Sequence, residues 1–244
     1  MNNPYGNDLA YIHDDGFGGF ARQASRGILV LLQEAGLDDG LIVDLGCGSG
    51  IWAHIATENG YSAHGIDISE NMIQLARKQA PKASFEVNSF LKAQIPSCTA
   101  VTCMGECMNY LFDKDHSDEQ LRLLFTRIHE ALQPGGLFIF DVAGPGYAEA
   151  TGPHKRHFIS EDWAVLVQVS EYKREQKLTR YITAFRKNED GSYRRTEEVH
   201  RIQLLTGTHL AQILRDIGFK VRIRKGYGKF KLSPAHSVVI ARKS

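Results

Sequence analysis

Residues 43–50, Val43-Asp44-Leu45-Gly46-Cys47-Gly48-Ser49-Gly50, constrain this chain more than any other stretch. An apolar run, Leu41-Ile42-Val43, ends in an acid. Glycines then occupy alternate positions, and apolar residues follow at Ile51, Ala53, Ile55 and Ala56. That order describes a buried strand, a turn too tight for side chains, and an amphipathic helix. Glycine lets a backbone approach a ligand closely, and a helix start presents N–H groups without intrahelical partners. The spacing is G-x-G-x-G, not the G-x-G-x-x-G that presses on a dinucleotide pyrophosphate, which argues against nicotinamide chemistry. A second acid, Asp67, closes the next apolar run, Ala63-His64-Gly65-Ile66, about twenty residues on, where an acid reads ribose hydroxyls. Alone, the glycines would be a mere strand-to-helix connection. With Asp44 and Asp67 both in register, they point to a nucleoside cofactor.

Periodicity extends this alternation along the chain. Apolar positions at helical spacing in residues 19–35 (Phe20, Ala24, Ile28, Leu31, Leu32) stop at Gly36. Strands are expected at 41–45, 62–66, 84–87, 100–104 and 137–142. Helices are expected at about 49–59, after a Ser69 cap, and at 118–132 before Pro134-Gly135-Gly136. The rhythm changes at Trp163. Three alternating runs, 163–173, 178–187 and 193–205, predict a small antiparallel sheet, with Asn188-Glu189-Asp190-Gly191 as a turn. A helix capped by Thr206 and stopped by Gly218, then strands at 219–227 and 236–241, return to the main sheet. The fold expected is α/β: a Rossmann-like, seven-stranded, mostly parallel sheet with helices on both faces, plus the inserted sheet. Residues 1–154 and 206–244 would form the body, and 155–205 a lid.

Near-neutral net charge hides an asymmetry. Residues 1–154 carry 9 Lys and Arg against 19 Asp and Glu; residues 155–244 carry 20 against 9. The basic part either meets an anionic substrate (a phosphate, a carboxylate, a nucleotide conjugate) or solvates strand faces and pairs with the acidic part. No apolar stretch approaches the roughly 18 residues that span a bilayer, so no membrane partner is expected. The start, Met1 to Asp8, has neither a basic nor an apolar signal region. Cys47, Cys98, Cys103 and Cys107 form no C-x-x-C pair, which suggests a reducing, cytoplasmic setting, buried thiols and no metal site.

The glycine turn with Asp44 and Asp67, together with Leu132-Gln133-Pro134-Gly135-Gly136-Leu137, resembles class I S-adenosylmethionine-dependent methyltransferases over residues 41–142 and 206–241. The resemblance implies S-adenosyl-L-methionine as cofactor and S-adenosyl-L-homocysteine as product. It implies that Gly46, Cys47 and Gly48 hold the methionine part by their backbone, with Asp44 at its amino group, directly or through water. Asp67 would take both ribose hydroxyls without supporting the fold. Ile68 and Met72 would flank adenine, helix packing being the alternative for Met72. Where the family commonly has an acid after strand three, Ser89 and the Phe90 N–H stand instead. Gly105 and Glu106 lie in the segment that passes beneath the transferable methyl. Glu106 is a catalytic candidate or a surface or capping carboxylate. An N-terminal segment with Tyr5, Tyr11, Phe17 and Phe20, hinged at Gly16, Gly18 and Gly19, would close over the cofactor, Tyr11 reaching its methionine end. Packing onto the first helix is the alternative.

The inserted sheet and its strand Tyr193-Arg194-Arg195-x-x-Glu198-x-His200 resemble small-molecule methyltransferases acting on amino sugars, and more loosely the glycine-type N-methyltransferases. Methyl transfer to N or O of a small polar metabolite, anionic or neutral, is the implied activity, in a monomer or homodimer. The two-residue period puts Arg194, Thr196, Glu198, His200 and Ile202 on one face. His200 is a catalytic candidate as proton acceptor, or a structural histidine. RNA or protein substrates would suit the basic C-terminal part, but no aromatic-interleaved RNA-binding module is visible, so nucleic acid is not expected. A non-enzymatic binding protein would not need the glycines and both acids intact.

Overall fold

In the computed structural model, which describes residues 4–152 and 154–244, two helices precede the first strand: α1 (Asn7–Phe17) and α2 (Gly19–Glu34). There follow β1 (Leu41–Leu45), α3 (Ile51–Glu58), β2 (Ser62–Asp67), α4 (Glu70–Gln79), β3 (Ser84–Val87), β4 (Cys98–Cys103), α5 (Asp118–Ala131) and β5 (Leu132–Ala143). A short helix α6 (Tyr147–Ala150) leads into β6 (Lys155–Ile159), β7 (Trp163–Tyr172), β8 (Lys177–Lys187) and β9 (Tyr193–Gln203). The chain closes with α7 (Gly207–Ile217), β10 (Phe219–Arg224), β11 (Gly226–Tyr227), β12 (Phe230–Lys231) and β13 (His236–Lys243).

Seven strands form the main sheet in the order β10-β13-β5-β4-β1-β2-β3. Every pairing from β5 to β3 is parallel, and β13 runs antiparallel to both β5 and β10. Alternate residues of one strand enter opposite cores, as the two-residue period requires. Val43 and Leu45 pack with Leu124, Phe125 and Ile128 beneath α5, while Ile42 packs with Ile28, Trp52 and Ala53 beneath α2 and α3. Caps fix the helix starts. Ser69 Oγ accepts the Met72 N–H at 3.4 Å, and Thr206 Oγ1 accepts the His209 N–H at 3.2 Å. Strand order reverses at β1, so the crevice where open α/β sheets bind ligands lies at its carboxyl end, between β2 and β4.

The second sheet is antiparallel, ordered β6-β7-β8-β9. Its inner face joins the body through Val169, Leu178 and Ile202, packed on Ala143 and Tyr147. Helix α1 lies against it, Leu9 and Ile12 meeting Trp163, Val165, Ile182 and Ala184.

Three local expectations change. The sheet has a fourth strand, β6, whose Lys155-Arg156-His157 carries no apolar alternation because it is a largely exposed edge. The strand expected across 219–227 stops at Arg224, and the β11–β12 hairpin precedes β13. Of the three N-terminal glycines expected to form a hinge, Gly16 is helical, and a Cβ there would stand 2.6 Å from the Trp163 ring, whereas Gly18 separates α1 from α2. The role of Gly16 is close packing of α1 on the insertion. Among the described residues, no helix is long and apolar enough to cross a membrane.

Candidate active site

A cavity of about 600 Å³ opens at the carboxyl ends of β1, β2 and β4. The glycine turn builds one end of it. Gly46, Gly48 and Gly50 have φ of +70°, +54° and +81°, a region other residues enter only at a cost. The Ile66 carbonyl accepts the N–H of Gly46 at 2.7 Å and of Cys47 at 3.1 Å, which ties the turn to β2. A Cβ on Gly46 would stand 2.7 Å from Cys107 Sγ, whereas nothing lies within 4 Å of one on Gly48. The first glycine serves packing; the second leaves open backbone at the cavity. Asp67 accepts the N–H of Gly48 at 2.9 Å and of Ser69 at 2.8 Å. Asp44 is buried, and its Oδ1 accepts the Thr102 hydroxyl at 2.7 Å; that hydroxyl oxygen accepts Trp52 Nε1–H at 3.0 Å. Burial pushes the Asp44 carboxyl up to about 7, against the opposing pull of Thr102. Ile68, Met72 and Phe90 add an apolar flank.

Asp141, on β5, organises the next wall. It is fully buried and accepts the N–H groups of Gly105 and Glu106, each at 2.8 Å, and the Tyr227 hydroxyl at 2.6 Å. These bonds hold Glu106 at φ +56°, a strained conformation for a residue with a Cβ. The Glu106 carboxylate is ion-paired to Arg180 from β8, and His236 Nε2 lies 3.4 Å from its other oxygen. Arg180 also donates to the hydroxyls of Tyr110 and Tyr147, each at 2.7 Å, with the guanidinium 5.2 Å from the Tyr147 ring centre. Burial raises the Glu106 carboxyl, but Arg180 and His236 outweigh it and hold it below the usual range. Glu106 is thus a neutralised anion, not a free base.

His200, on β9, completes the far wall. It is 2% exposed, with Tyr5 and Phe112 ring centres each 5.0 Å away. Nε2 lies 2.8 Å from Glu198 Oε2, and Nδ1 is buried with no hydrogen-bond partner among the described residues. Burial lowers the pKa of neighbouring His13 to about 4, leaving that ring neutral. Arg156, Lys231 and Ser233 also line the cavity.

A family model described as a methyltransferase domain matches residues 19–222. The chain belongs to this methyltransferase family. It is 26% identical over 188 residues to dTDP-3-amino-3,4,6-trideoxy-alpha-D-glucopyranose N,N-dimethyltransferase of Streptomyces venezuelae, covering 76% of this chain and 77% of that one. Its fold is similar to the crystal structure of Streptomyces venezuelae DesVI, with a TM-score of 0.78 at 18% identity over 98% of this chain and 100% of that one. It is also similar to S-adenosylmethionine-bound CalS10, an amino pentose methyltransferase from Micromonospora echinaspora, with a TM-score of 0.75 at 15% identity over 96% and 95%. S-adenosylmethionine is the cofactor of this family, and methyl transfer its activity.

In the methyltransferase, one cavity brings together Asp44, Gly46, Cys47, Gly48, Asp67, Ile68, Met72, Ser89, Phe90, Gly105, Glu106 and His200. Tyr11 stands apart. Its hydroxyl donates to Asp162 at 2.9 Å and its ring lies under Arg186 at 3.7 Å, so it anchors α1 to the insertion. The helix phase explains this: Leu9, His13 and Phe17 face the cavity, and Tyr11 lies about 200° around from Leu9. Tyr5 lines the cavity instead. Asp67 also differs from expectation, because its two backbone bonds give it a structural duty. Sequence reading missed Arg180, Tyr147, His236 and Asp141. Only Asp141 left a signal, as the lone acid in the apolar run 137–142.

Proposed function

We propose that this methyltransferase acts on an amine or hydroxyl of a small polar metabolite that carries an anionic group. The observation behind this reading is one continuous cavity, running from the glycine turn to a chamber under the inserted sheet. Its volume, about 600 Å³, suits a nucleoside cofactor with a small acceptor, since pockets of ~300–1,000 Å³ enclose ligands of that class. Arg156 and Lys231, neither in an ion pair among the described residues, add positive charge to its lining.

The cofactor end fits the group it would hold. Gly48 offers open backbone, Asp44 suits an amino group, Asp67 suits ribose hydroxyls, and Ile68, Met72, Ser89 and Phe90 suit adenine. When bound, the cofactor supplies a methyl activated by a sulfonium. The protein then aligns an acceptor lone pair and keeps water out. Orientation of this kind is worth effective molarities on the order of 10⁵–10⁸ M. Tyr5, Tyr110 and Phe112 form an aromatic wall against water, and Gly105 keeps the backbone beneath the acceptor thin. Glu106 orients Arg180 and, through it, the Tyr110 and Tyr147 hydroxyls. His200 takes the acceptor's proton on Nδ1, its Nε2–H being committed to Glu198.

The test supplies the enzyme with methyl-labelled S-adenosylmethionine and a cell extract separated into metabolite, RNA and protein fractions. Label should enter the metabolite fraction, on a compound one CH₂ heavier. Label confined to RNA or protein would overturn this reading.

A further inference from the structure

Glu198 touches more than His200. Its Oε1 accepts the Gly6 N–H at 2.8 Å and its Oε2 the Tyr5 N–H at 2.9 Å, so the carboxylate grips the peptide that leads into α1. The Tyr5 carbonyl faces the other way and accepts Ser69 Oγ–H and Asn71 Nδ2–H, both at 3.1 Å, at the start of α4. Residues 5 and 6 therefore form a strap across the cavity, stitched to the inserted sheet on one side and to the β2–α4 corner on the other. The strap is under tension: Tyr5 has φ +52°, which costs a non-glycine residue free energy unless its surroundings enforce it. The Tyr5 ring meanwhile packs on His200, and its hydroxyl lies 3.5 Å from that of Tyr110.

We infer that Glu198 is a positioning residue that couples closure of this strap to the tautomer of His200. A carboxylate can only accept. With Oε2 already taking the Tyr5 N–H, the hydrogen between Glu198 and His200 sits on Nε2, which leaves the lone pair on Nδ1, buried and without a hydrogen-bond partner among the described residues. When the strap opens, Glu198 loses two backbone donors and gains freedom to rotate away from the ring. When it closes over ligands, the same contacts return the imidazole to the Nε2–H form. The strap half of this inference stands on geometry alone; its catalytic half rests on the reading of His200 as proton acceptor.

The test compares wild type with Glu198→Gln, Glu198→Ala and His200→Gln, each full-length and saturated with S-adenosylhomocysteine. Amide exchange at Tyr5 and Gly6 reports the strap, and ¹⁵N shifts of the neutral His200 ring report the tautomer. In isosteric Glu198→Gln the carboxamide NH₂ can donate to Nε2, so the ring hydrogen should move to Nδ1. Protection at Tyr5 and Gly6 should fall about tenfold in both Glu198 variants, the loss expected for one charge-assisted bond. With methyl-labelled S-adenosylmethionine and the metabolite fraction of a cell extract, label transfer by Glu198→Gln should drop at every concentration of that fraction, and Glu198→Asp should restore part of it. Wild-type protection and an unmoved tautomer in Glu198→Gln overturn the inference, whether or not Glu198→Ala folds. Turnover that survives His200→Gln removes the proton-acceptor reading and the catalytic half with it, while the strap measurements still decide the clamp.

Discussion

Asp141 on β5 and the backbone N–H of Glu106 meet at 2.8 Å, and this bond, with its twin to Gly105, bends the chain after β4 into the cavity. Asp141 makes three hydrogen bonds and is fully buried, so nothing else can satisfy those donors. Asp141→Asn presents an NH₂ to at least one donor and should cost about 1–3 kcal/mol of stability, with Asp141→Ala costing more. Urea denaturation measures it. A loss within about 0.5 kcal/mol, the range of ordinary surface changes, would show that the loop holds its shape by other means.

Glu106 and Arg180 are expected to behave as one unit. Both side chains are nearly buried, at 10% and 12% exposure. Removing one partner strands the other charge, so Glu106→Gln and Arg180→Met should each destabilise by about 3–5 kcal/mol. The double variant should lose less than the sum, with a coupling of about 1 kcal/mol or more. Additive losses in a double-mutant cycle would mean that the pair carries no mutual energy.

These two relationships mark the limit of what the residues reveal on their own. The β1 turn, the Ser69 and Thr206 caps and the alternation in β7 to β9 were legible because they are local: glycine spacing, side-chain capping and the two-residue period act within a few positions. The pairing of Glu106 with Arg180 was not, because 74 positions and a sheet insertion separate them and spacing says nothing about how two sheets meet. Tyr11 was mistaken for the tyrosine at the cavity because a segment read without its helix has no phase. Once α1 starts at Asn7, Tyr11 must face the insertion. Glu198 shared a face with His200 by period alone, yet its grip on the strap depends on how α1 docks.

Cofactor affinity should depend on pH through Asp44. Its carboxyl is raised to about 7 in the fold, chiefly by burial, from the ordinary value near 4. A raised acid favours the folded state when protonated. Its contribution to stability is full below about pH 4 and is lost as pH rises through roughly 4 to 7, with no further change above. Affinity for the cofactor's cationic amino group runs the other way, rising as Asp44 ionises and levelling above about pH 7. Calorimetric titration with S-adenosylhomocysteine should show that rise in wild type and a flattened profile in Asp44→Asn. Identical profiles would place the amino group elsewhere.

His200→Ala should lower turnover by about 10²–10⁴-fold, the usual worth of a general base. Affinity for S-adenosylhomocysteine should stay within about twofold, since the ring lies at the substrate end and a lost contact there leaves cofactor bonds intact. Undiminished turnover would return His200 to a structural role and make Tyr110 the next residue to test.

The proposed seat of the cofactor lies between the glycine turn and Asp67. The most direct measurement is calorimetric titration of S-adenosylhomocysteine into wild type and Asp67→Asn, with melting of each ligand-free protein as control. Asp67 also supports Gly48 and Ser69, so a modest loss of melting temperature is expected. Beyond it, loss of the charged acceptor should weaken binding about ten- to a hundredfold, the worth of hydrogen bonds to an ionised group. Equal affinity in the two proteins, or no binding by wild type at all, would contradict the account.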